Sequence, residues 1–113
     1  MDRRVASENL FSGKAGAQEY VGLVLRFQEL GYETKLFHDF FPEQQHLILR
    51  HDVDLSLEAA AVMADLEAKH GWTATYFVLL CSEFYNVFSA AGRRSLCSIV
   101  ERGHDVGLHV DPS

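Results

Sequence analysis

No apolar run in this chain approaches the roughly 20 residues that a membrane-spanning helix needs. No apolar signal core follows the charged start Met1-Asp2-Arg3-Arg4, so export is not indicated and a cytoplasmic location is expected. Basic residues are few: 10 Lys and Arg stand against 16 Asp and Glu, a net charge of −6. That balance excludes the clustered positive face by which proteins grip nucleic acid. Cysteine is scarce too. Cys81 and Cys97 fit no metal-binding or redox spacing and read as reduced, buried residues of a cytosolic protein. There is no internal repeat and no domain linker. What is present is ordinary for a globular chain: 113 residues, 48% hydrophobic and 23% charged. A domain of this size buries roughly two-thirds of its unfolded surface.

One stretch organises the rest, Leu47-Ile48-Leu49-Arg50-His51-Asp52-Val53-Asp54-Leu55-Ser56. A short apolar run ends abruptly in Arg, His and two Asp, and Ser56 can cap a helix. This predicts a buried strand over 46–51, its end carrying polar groups, then a helix start. Side chains alternate along a strand, so Arg50, Asp52 and Asp54 share one face and Leu49, His51 and Val53 the other.

The flanking pattern is strand and helix in turn. Residues 1–16 are small and polar and read as a flexible arm. Val21, Leu25 and Leu30, with Val24 and Phe27 beside them, have helical spacing, and Gly31 is a natural stop. Thr34–Phe37 predicts a short strand, and 39–45, with Pro42, a loop. Ser56–Lys69 is the clearest helix. Leu57, Ala60, Ala61, Ala64 and Ala68 make its stripe, and Val62, Met63 and Leu66 widen it into a surface covered on more than one side. Gly71 ends it. Thr73–Leu80 is rich in β-branched and aromatic residues and predicts a strand. An aromatic loop over 81–90, a helix over 91–102 and a strand over 105–110 follow. Such alternation implies right-handed βαβ units and a parallel sheet, the α/β class.

Asp52, Asp54 and His109 all fall at C-terminal ends of these strands, which lie on one side of a parallel sheet. One carboxylate and one imidazole suit zinc or a similar divalent ion. A second carboxylate can serve as general base on a water. Catalytic zinc takes three protein ligands, and only two good ones are visible. Each residue also has a plainer role. Asp54 complements the helix macrodipole, Asp52 is a solvated strand end, and His109 bonds a backbone carbonyl. Arg50 forms a salt bridge with Asp52. His51 packs, and His104 caps the helix before it. His38 and Asp39 form a solvated loop within reach of the same rim.

Three blocks resemble the polysaccharide deacetylase family, the NodB-homology or carbohydrate esterase 4 group. They are Leu49-Arg50-His51-Asp52-Val53-Asp54, then Ala74-Thr75-Tyr76-Phe77, then Gly103-His104-Asp105-Val106-Gly107-Leu108-His109. They stand in the family's order, and the resemblance spans 18–113. It implies a distorted (β/α) barrel, usually of seven strands, and metal-dependent removal of N- or O-acetyl groups from carbohydrates. Carried over, the family's general base falls on Asp52, its metal-binding Asp on Asp54 and its first metal-binding His on His109. Val53 separates the two Asp, as in divergent D-x-D members. The chain departs from the pattern further on. Ser113 stands where the second His is expected, and Val110 replaces a Ser or Thr. The blocks that orient the base and supply the general acid would lie beyond Ser113.

The expectation is therefore a partial (β/α) barrel over 17–113, the N-terminal part of a deacetylase-like domain. It acts on a carbohydrate with a divalent metal, zinc first, and self-associates through an unclosed barrel edge. Two other classes stay open. One is a truncated, non-catalytic domain that needs a partner. The other is a receiver-like signalling module, which needs a Ser or Thr and a Lys at later strand ends; no Lys follows Val78.

Overall fold

The computed structural model describes residues 5–7 and 13–109, with side chains from residue 16 onward. The order is β1 (Val5–Ser7), α1 (Gly13–Glu29), β2 (Glu33–Lys35), a 3-10 turn (Phe37–Asp39), β3 (His46–Val53), α2 (Leu57–Lys69), β4 (Thr75–Val78), α3 (Ala90–Glu101) and β5 (Asp105–Leu108). Helix starts follow from serine caps. Ser56 Oγ accepts from the Ala59 amide at 3.1 Å, and Ser89 Oγ from the Gly92 amide at 2.9 Å. Each satisfies one of the amides that a helix start leaves unpaired. Gly71, at φ 77°, takes the left-handed turn that ends α2. Among the described residues no helix is long and apolar enough to cross a membrane.

Every strand pairing is parallel. The main path runs β1-β3-β4-β5, and β2 pairs with β3 off that path. β2 takes the start of β3, from Glu33↔His46 to Lys35↔Ile48, and β4 takes its end, from Arg50↔Thr75 to Val53↔Val78. Alternation then sorts the side chains. Leu47, Leu49 and Val53 pack with Ala74, Tyr76 and Val78 into one core cluster. Tyr20 and Val24 of α1, Ala60, Met63 and Ala64 of α2 and Ile99 of α3 complete it. All three helices thus cover the same face. The opposite face carries Arg50, Asp52, Phe77, Asp105 and Gly107. The units β3-α2-β4 and β4-α3-β5 step in one direction, whereas the step from β2 to β3 runs back, because β2 lies on the β4 side of β3. Doubly wound sheets, receiver modules among them, carry helices on both faces instead. The α/β class with parallel strands alternating with helices is as the sequence predicts.

Several details differ. Within the segment expected to be a flexible arm, 1–16, lie β1 and the start of α1. Three residues, Val-Ala-Ser, are too few to show a period, so only the pairing with β3 reveals β1. β3 runs two residues past His51, to Val53. Phe37 leaves the strand for the 3-10 turn. Val62 is 72% exposed, so α2 is covered on a narrower stripe than its composition suggested. Both cysteines are exposed rather than buried: Cys81 sits in the loop after β4, and Cys97 lies on the outer side of α3.

Candidate active site

Three of the four expected site residues come together on the helix-free face. Arg50 and Asp52 are two apart on β3 and point the same way. Arg50 Nε donates to Asp52 Oδ1 at 3.1 Å. His109 follows β5 directly, and its amide donates to the Val78 carbonyl at 2.8 Å, which continues the ladder for one more residue. Its ring is brought to the same carboxylate, with Nδ1 3.6 Å from Asp52 Oδ1. That is ion-pair range, longer than a hydrogen bond. Both partners approach one oxygen. Among the described residues Asp52 Oδ2 has no protein partner and is open to accept from a water. All three side chains keep about a third of their surface.

Asp54 stands apart from this group. It lies beyond the end of β3, beside Tyr85. Burial pushes the Tyr85 phenol up, its bond from the Leu79 amide opposes this, and the Asp54 charge adds to the rise. Tyr85, in the aromatic loop after β4, joins the strand ends. Its hydroxyl donates to the Val53 carbonyl at 2.5 Å and accepts from the Leu79 amide at 2.7 Å. It therefore pins the end of β3 to the end of β4. Beside it a hollow of about 250 Å³ opens between the starts of α2 and α3, lined by Leu55, Glu58, Phe84 and Asn86 among others.

A catalytic zinc needs three protein ligands. Among the described residues no three His, Cys, Asp or Glu side chains gather in a metal-holding group. These residues alone do not fit such a centre. Positions 110–113, where the resemblance expects the second His, lie outside the described residues.

The other polar residues keep their plainer expected roles and gain partners that alternation and capping do not reveal. His38 does not reach the strand ends. It pairs with Asp39 at 3.2 Å and with Asp105, at the start of β5, at 3.5 Å, all exposed. His104 is buried, and its backbone amide caps α3 as expected, donating to the Ile99 carbonyl at 3.4 Å beside the Gly103 amide on Val100. Its Nδ1 accepts from the Ala74 amide at 3.0 Å, and its Nε2 donates to the Ala64 carbonyl at 2.8 Å. It ties the entry of β4 to α2.

His51 packs on the helix side, as its parity requires, but into a polar cluster. The fully buried Glu67 of α2 accepts from Tyr20 at 2.7 Å, from His51 Nε2 at 2.6 Å and from Tyr76. A carboxylate only accepts, so Nε2 carries the proton. Among the described residues, the buried His51 Nδ1 has no hydrogen-bond partner. Burial pushes Glu67 up, yet the His51 bond and charge, then the Tyr76 and Tyr20 hydroxyls, outweigh it and hold the carboxyl below its ordinary value. One signal in the sequence points to Glu67. It continues the Ala60, Met63, Ala64 stripe at helical spacing.

No family model, no curated protein and no solved structure matches this chain.

Proposed function

We propose that this chain carries part of the active site of a metal-dependent hydrolase that removes acetyl groups from a carbohydrate, of the polysaccharide deacetylase type, with Asp52 as general base. One observation carries this reading. Asp52 and His109, far apart in sequence, meet at 3.6 Å on the face of a parallel sheet opposite its three helices. Strand ends of such sheets are where α/β enzymes place their chemistry.

The chain's own groups suit the first step. Asp52 Oδ2 takes a proton from a water as the water oxygen attacks the acetyl carbonyl carbon. Arg50 holds Oδ1, which turns Oδ2 outward and keeps a positive charge at the base. His109 stands in ion-pair range of the same oxygen. The exposed Phe84 ring, at the hollow beside Tyr85, offers a platform of the kind sugar rings stack on. Metal dependence rests on the resemblance. The resemblance puts its donors at Asp54 and His109; Asp54 stands apart from His109 here, and among the described residues no third donor joins them.

A second reading is a non-catalytic domain. The observation in its favour is the lack of a three-donor group among the described residues. Metal content after dialysis separates the two. The hydrolase reading expects about one zinc-like ion per chain, lost in Asp54→Ala and in His109→Ala. No metal in the wild type, or binding unchanged in both variants, overturns the metal assignment and leaves the non-catalytic domain.

A further inference from the structure

The helix-free face carries one ring that the proposed hydrolysis does not use. In the strand register Phe77 lies between Asp52 and Gly107, paired with each. The ring face carries the Arg50 guanidinium, 4.3 Å from the centroid. Phe37 meets the ring edge to face, with centroids 6.1 Å apart. At Gly107 an added Cβ would stand 2.8 Å from Phe77 Cε1, closer than real Cβ atoms come to a neighbour. Any other residue at 107 would move the ring. Glycine inside a strand ordinarily weakens it and often marks a close approach. Here the missing side chain is the seat of the Phe77 ring.

An arginine pair this accessible, with 37% of the Arg50 side chain exposed, is weakly held by its carboxylate alone. A cation over an aromatic face gains a second anchor. Two anchors set both the place and the plane of the guanidinium. We propose that Phe77 is a positioning residue of this site: seated on Gly107, its ring holds the Arg50 guanidinium where Nε reaches Asp52. The catalytic meaning of this role rests on the hydrolase reading; the positioning does not.

NMR of the full chain tests it, through exchange of the Arg50 Nε proton with water. Phe77→Leu and Gly107→Ala each speed that exchange about three- to tenfold, and Phe77→Tyr, which keeps the ring, stays within about twofold. Unchanged exchange in Phe77→Leu, in a sample whose amide spectrum stays dispersed, overturns the proposal. If Phe77→Leu does not fold, Gly107→Ala decides on the same criterion. The same samples are assayed for acetate release from N-acetylglucosamine oligomers, where Phe77→Leu lowers kcat and leaves KM unchanged. Faster Arg50 exchange in the variants supports the positioning role whether or not the wild type releases acetate; metal content after dialysis decides the hydrolase reading separately.

Discussion

Glu67 is the residue on which the core's polar balance turns. It is fully buried, and three donors from three different elements converge on it. Breaking a buried, hydrogen-bonded charge typically costs about 3–5 kcal/mol, because the partners are left without their charge. Glu67→Ala is expected to lose that much in urea unfolding at neutral pH. Tyr20→Phe, which removes one donor, costs about 1–3 kcal/mol. The pH dependence has a definite sign. A carboxyl depressed in the folded state adds stability above its unfolded value of about 4.3 and loses it as pH falls through the folded value. Stability of the wild type therefore drops on acidification below that point, and Glu67→Gln flattens the drop. A wild type and variant with parallel acid limbs would refute this. At the candidate site, Asp52→Asn is expected to slow acetate release by about 10²- to 10⁴-fold, the usual worth of a general base, with the fold unchanged by circular dichroism.

At the scale of elements, the helix ends were the most legible features. Ser56 and Gly71 bracket α2 where cap chemistry places them, because capping is decided by neighbours in sequence. Ser56→Ala is expected to cost about 1 kcal/mol and to lower Tm by roughly 4–8 °C. Features that depend on distant partners were hidden. β1 exists only as a partner of β3. His104 caps α3 through its backbone, as the Gly103 before it suggests, but the role of its ring is set by the distant Ala74 amide at the entry of β4. The shared face of Arg50 and Asp52 was readable from alternation; Asp54 leaves it because β3 ends at Val53. That His109 would face Asp52 and not Asp54 was not readable, because it depends on the stagger between β3 and β5 through β4.

Over the whole molecule, the division of faces matters most. One face of the sheet is covered by three helices; the other carries charge. Among the described strands β5 has a neighbour on one edge only, and Leu108 there is 56% exposed. An uncovered edge offers unpaired amides and carbonyls to another chain. Self-association through that edge is the expected behaviour, read by light scattering as an apparent mass that rises with concentration. Leu108→Lys lowers it, and a mass independent of concentration in the wild type would refute the edge.

β3 has a further consequence, for the order of assembly. β1, β2 and β4 all dock on it directly, and β5 reaches it through β4. Neither β1 nor β2 has a sheet to join until His46–Val53 is in place. Until then the seventeen-residue α1 must wait as a lone helix, which is marginal in water. Assembly of the sheet therefore begins in the middle of the chain and spreads both ways. Truncations in β3, such as Leu49→Ala, are expected to slow refolding nearly in proportion to the stability lost, while truncations in β1 mainly speed unfolding.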